Sequence, residues 1–131
     1  PTMDVEGWDS VGKVVILANA VMDGNLKVGD VERVGITGVS SEDVERAELE
    51  GKRVKLIAQA SRKDGVVKAK VSPEKVPLTD FLAHVDGTLN ALTLTTDGLR
   101  EVTIIGRGAG GIEAGHGLLS DLIAINRYLS S

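Results

Sequence analysis

Asp4, Asp9 and Lys13 are the polar side chains near the amino end whose types and spacing could do chemistry. Asp9 and Lys13 stand at i and i+4, so a helix places them on one face. Two readings are open. The plain one is an acid-before-base helical pair worth a few tenths of a kcal/mol, with Asp9 also able to act as an N-cap. The chemical one is a polar stripe offered to a pocket. There, an ammonium steadied by a carboxylate donates a proton or polarises an oxygen, and the carboxylates bind a substrate amine. Spacing alone favours the first.

The second candidate is glycine-rich. Gly106, Gly108 and Gly111 satisfy G-x-G-x-x-G, after an expected strand and before an expected helix. A dinucleotide-binding βαβ unit needs a further parallel strand and an acidic residue about 20 positions on, and the chain stops at Ser131. That leaves a tight strand-to-helix turn, or backbone amides that form one wall of an anion site. The other candidates are plainer. His84 beside Asp86, His116, and Ser120-Asp121 read as solvated positions, and no Ser/His/Asp triad follows from their order.

Composition narrows the classes. The chain has 131 residues, with 15 Lys+Arg, 19 Asp+Glu and a net charge of −4. It lacks a basic face for nucleic acid, and with 2% aromatics it has little to stack bases on. There is no cysteine, and two histidines do not make an all-His metal site, so no metal is expected. The apolar run Val14 to Ala18 is too short to cross a bilayer. Pro1 to Asp9 has no basic segment leading into an apolar core, so no leader is expected there. The start at Pro1 suggests that an upstream part exists.

The elements that would position these residues read as follows. Asp9 opens a helix whose apolar positions are Val11, Val14, Val15, Ala18, Val21 and Met22, with Ile16, Leu17 and Ala20 on the other side. A helix so apolar all round should be buried on most faces. Asp23-Gly24-Asn25 ends it. Leu26 to Val31 suits a short helix, Arg33 to Val39 a strand, and Ser40 or Ser41 caps a helix that Gly51 terminates. Arg53 to Ala60 and Val66 to Val71 read as a hairpin around Asp64-Gly65. Pro73 to Pro77 reads as a linker, and Thr79 to His84 as a helical turn. Leu89 to Thr95 and Glu101 to Ile105 form a second strand pair. A final helix starts near Gly115 with a stripe of Leu118, Leu119, Leu122, Ile123 and Ile125. The expected architecture is α+β, a layered domain whose mostly antiparallel or mixed sheet is covered by helices. It forms one domain over 1–131, with 106–131 as the glycine turn and closing helix.

Asp4-Val5-Glu6-Gly7-Trp8-Asp9-Ser10-Val11-Gly12-Lys13 resembles the D-x-x-G-x-D-x-x-x-K segment of homoserine dehydrogenases, with Pro1 in the place of the last residue of a preceding E-x-D-P stretch. Val85 to Ala91 is similar to that family's turn into its late strands, and Gly106 to Gly111 with Gly117 to Ile123 to its closing segment and helix. The resemblance spans essentially the whole chain. It implies the family's catalytic-domain fold and reversible hydride transfer between aspartate 4-semialdehyde and homoserine, on the route to threonine, isoleucine and methionine. It implies that Lys13 is the proton donor, that Asp9 and Asp4 bind substrate, and that Gly110 touches the cofactor, NAD or NADP. It also implies a homodimer, a cytoplasmic enzyme, a small-molecule substrate, and no nucleic-acid or membrane partner.

There are departures. The family's nucleotide-binding domain, which holds most of the cofactor, lies outside this chain, so the chain alone is expected to be inactive. Where the family often has Thr-Ala, Ala114-Gly115 stand, and a hydroxyl that would cap the last helix is lost. The alternative is a non-catalytic dimerisation or small-molecule-binding module on the same fold.

Overall fold

The structure is a computed structural model that describes residues 5–98, 100–108 and 110–130. Asp4 lies outside the described residues, as do Pro1 and Ala109. The chain divides into two compact units, with the boundary between Ala83 and His84.

The first unit is built on a mixed three-stranded sheet. Its strands are β1 (Glu32–Arg33), β2 (Lys52–Lys63) and β3 (Val66–Pro77), in the order β1-β3-β2. β2 and β3 pair antiparallel over their full length, from Lys52 opposite Pro77 to Lys63 opposite Val66. The two residues between them, Asp64 and Gly65, have φ of 51° and 79°. That is the type I′ geometry, whose twist matches that of the flanking strands. Side chains alternate along β3. Ala69 and Val71 are buried on one face, while on the other Lys70 and Ser72 both donate to the Glu74 carboxylate.

Helix α1 (Trp8–Met22) lies on the apolar face, where Val11 and Val14 join Val31, Ala69 and Val71 in the core and Leu56 and Ala60 pack around them. Helix α2 (Ser41–Leu49) packs against β2. Ser40 caps it in a capping box. The Ser40 Oγ accepts from the Asp43 amide, and the Asp43 carboxylate accepts from the Ser40 amide.

The second unit holds the antiparallel hairpin β4 (Leu89–Thr96) and β5 (Arg100–Arg107), with helix α3 (Gly111–Leu129) following it in the chain. The α+β class and its mixed sheet are as expected. On α3, Leu118, Leu119, Leu122, Ile123 and Ile125 are all exposed.

Five expectations need correction. Arg33 to Val39 is not one strand. Only Glu32–Arg33 pairs with β3, and the chain then bends into a 3-10 turn at Ile36–Gly38, because Gly35 and Gly38 are poor strand residues. Pro73 to Pro77 is not a linker but the end of β3. β1 reaches only Lys70 and Val71, so β3 is an edge strand beyond them. Pro73 and Pro77, four residues apart, point the same way along that edge, where a missing N–H costs no ladder bond. Leu26 to Val31 holds only a 3-10 turn, Val28–Asp30. α3 begins at Gly111 rather than Gly115, so Ala114 is already inside it, its amide bonded to the Gly110 carbonyl. Finally, α1 is not buried on most faces. Val11, Val14 and Ala18 are buried, while Ile16, Leu17 and Val21 are exposed, since one sheet covers one side.

Candidate functional site

α1 begins one residue before Asp9, and its N-cap is Gly7 rather than Asp9. Gly7 has φ of 81°, and a Cβ there would lie 3.3 Å from Val71 Cγ1 and 3.4 Å from Leu56 Cδ2. The chain therefore enters the helix pressed against the sheet, at a residue that only glycine suits. Asp9 follows in the first turn, where the helix dipole favours a carboxylate.

The Lys13 Nζ stands 2.7 Å from the Asp9 Oδ2. At 100° per residue, Asp9 and Lys13 lie on the side of α1 opposite the buried Val11, Val14 and Ala18. The exposed Ile16 and Leu17 share their face. The side chains of Lys13 and Asp9 are 58% and 50% exposed, so the pair adds little to folding. What it offers is an ammonium with a carboxylate beside it and apolar side chains on its flank.

The helix is also held at its far end. The Asn19 side chain donates to the Leu26 carbonyl at 2.9 Å and accepts from the Leu26 amide at 2.8 Å. At the near end, Trp8 Nε1 donates to the Glu6 carboxylate at 3.1 Å, and the Arg33 guanidinium lies 4.0 Å from the centroid of the Trp8 ring. Nothing in the local spacing announced this last set, because Arg33 is 25 positions from Trp8 and reaches it only through the β1–β3 pairing.

Gly110, the residue expected at a dinucleotide, is in the second unit as the N-cap of α3, with φ of 143° and no side-chain capping bond. Amides of the first helical turn there lack a side-chain cap, and a Cβ on Gly111 would meet nothing within 4 Å, whereas one on Gly108 would run into the Asn90 side chain. His84 and His116 are exposed, and His116 Nδ1 is 3.5 Å from Ser120 Oγ. Among the described residues, no three or more His, Asp or Glu side chains gather as a metal site would need, and no helix is long and apolar enough to cross a membrane.

Hydrogen bonds from Ser72 and Lys70 hold the pKa of Glu74 low, those from Lys75 and Lys52 hold that of Glu50 low, and those from Ser40 hold that of Asp43 low.

The family model described as homoserine dehydrogenase matches residues 1–123. An NAD(+)-dependent homoserine dehydrogenase of Pseudomonas canavaninivorans is 43% identical over 128 residues, covering 97% of this chain and 36% of that protein. The crystal structure of a homoserine dehydrogenase from Thiobacillus denitrificans superposes with a TM-score of 0.92 at 30% identity, over 99% of this chain and 30% of that one. A hyperthermophilic archaeal homoserine dehydrogenase in complex with NADPH superposes with a TM-score of 0.72 at 30% identity, over 94% of this chain and 34% of that one. The chain thus spans about a third of the length of the curated relatives it matches.

Proposed function

The chain belongs to the homoserine dehydrogenase family, and on that premise we propose that it forms the substrate-binding and dimerisation part of an NAD(P)-dependent enzyme interconverting aspartate 4-semialdehyde and homoserine. This step lies on the route to threonine, isoleucine and methionine. The observation that carries the reading is the Lys13–Asp9 contact of 2.7 Å, on the face of α1 turned away from the sheet.

Reducing an aldehyde needs a proton at oxygen as carbon gains a hydride. A nicotinamide cofactor, NAD or NADP, supplies the hydride when bound. Lys13 donates the proton to the carbonyl oxygen and takes it back in the reverse direction. Asp9 keeps the ammonium in place and is assigned, with Asp4, to the substrate amine, so the Asp9 carboxylate serves both cations. The uncapped, glycine-bordered start of α3 fits an anionic dinucleotide, and Gly110 is the residue assigned to touch it.

The remaining assignments are coarser. A cysteine-free chain suits a reducing cytoplasm. Exposed apolar side chains on β5 and α3, among them Ile104 and Leu122, support a homodimer. The 131-residue chain alone should show no turnover.

The test is Lys13→Ala in the full-length enzyme. The expected loss is about two to four orders of magnitude in kcat, as for removal of a general acid, with the circular dichroism spectrum unchanged. Wild-type kcat in that variant would leave a non-catalytic module as the better reading.

A further inference from the structure

We infer that Arg33 is a positioning residue, which clamps the segment leading into α1 and so fixes Asp9 and Lys13 where substrate meets them. The inference rests on the reading of α1 as the substrate helix. Three contacts converge on residues 5–8 from the sheet side. The Arg33 guanidinium donates from Nη1 to the Glu6 carbonyl, and its face stacks on the Trp8 ring at 4.0 Å. Trp8 returns to Glu6 through its Nε1–H at 3.1 Å. The backbone at Gly35 runs so close to this segment that a Cβ there would meet Glu6 Cα and the Val5 carbonyl oxygen at 3.0 Å.

Arg33 is itself anchored. It sits in β1 opposite Val71, and the next amide, Val34, donates to the Val71 carbonyl at 2.8 Å. Val71 is fully buried in the core. A strand paired to the core therefore holds a planar cation, which holds the residues on either side of the Gly7 cap. Asp9 is two positions beyond that cap. A charge-assisted bond and a cation–π contact together are strong enough to decide between one conformation and several for a short entry segment. A guanidinium suits the task because its plane stacks while its edge N–H groups donate in a fixed fork, a geometry that a tetrahedral ammonium lacks.

The two carboxylates assigned to the substrate amine, Asp4 and Asp9, flank the clamp in sequence. Releasing it should therefore weaken substrate binding more than the proton transfer from Lys13, which α1 carries one turn further in. The experiment uses the full-length enzyme with Arg33→Met, which keeps the stem, and Arg33→Lys. We expect KM for homoserine to rise about tenfold in Arg33→Met and about threefold in Arg33→Lys, as loss of one or part of a charged hydrogen bond implies. KM for the nicotinamide cofactor should hold, and kcat should stay within about threefold.

An unchanged homoserine KM in Arg33→Met refutes the clamp. So does a joint fall of kcat and melting temperature with KM unmoved, which is what a purely structural arginine would give. If Arg33→Met does not fold, Arg33→Lys decides alone, and a wild-type KM there refutes the clamp. Lys13→Ala, run beside them, separates the two ideas. If it spares kcat, the substrate-helix reading fails; if it abolishes kcat while Arg33→Met is silent, only the clamp fails.

Discussion

Replacing Gly7 by alanine isolates the platform on which the candidate site stands. Two costs arise. A φ of 81° is a left-handed conformation that an L-residue pays for with about 1 kcal/mol. The new Cβ would also stand 3.3 Å from Val71 Cγ1 and 3.4 Å from Leu56 Cδ2, tight enough that a fully buried valine must give way, for about another 1 kcal/mol. A matched control is available. Gly12 lies within α1, has helical geometry and has nothing within 4 Å of its would-be Cβ, so Gly12→Ala should stabilise by about 1 kcal/mol through helix propensity. The two substitutions add the same methyl group five residues apart, and they should differ by about 3 kcal/mol with opposite signs. In urea that separates their midpoints by roughly 1–2 M for a chain this size. Trp8 is the only tryptophan and sits between the two sites, so its fluorescence reports the unit concerned. Equal midpoints for the two variants would refute the placement of Gly7 against the sheet.

Three further outcomes follow from the same contacts. Ser40→Ala should cost about 1 kcal/mol by removing the N-cap of α2, read as a lower urea midpoint. Ser72→Ala should raise the Glu74 pKa toward the ordinary 4.5, since the Ser72 hydroxyl at 2.7 Å is the main group holding it down; a carboxylate NMR titration checks this. Because Glu74 titrates lower in the folded chain than in the unfolded one, its contribution to stability is present above pH 4.5 and fades as the pH falls through its folded value. Ser72→Ala should therefore flatten the acid limb of the stability profile, and an unchanged limb would contradict it.

Elements with a strong local signature were legible in the sequence. The Ser40 cap with Asp43 three residues on, the Asp64-Gly65 turn and the apolar period of α1 all act within a few residues, and each element lies where they point. What misled was chemistry whose outcome depends on a distant partner. Pro73 and Pro77 break a central strand but not an edge, and whether β3 is an edge there depends on how far β1 extends. The apolar back of α1 implied burial, yet Ile16 and Leu17 are exposed because the sheet covers only the side of Val11 and Val14. The Asp9–Lys13 contact was readable from i,i+4 spacing alone. The guanidinium of Arg33 over Trp8 was not, since it depends on a parallel pairing with a strand about 40 positions later in the chain.

The two-residue connection at Asp64-Gly65 also limits how this hairpin can change in length. Because neighbouring side chains point to opposite faces, inserting a single residue and re-pairing the strand would swing Val71 and Ala69 out toward solvent and drive Lys70 and Glu74 beneath α1. Natural variation in the reach of β2 and β3 should therefore come in even steps, or carry a bulge that absorbs the odd residue before it reaches the helix.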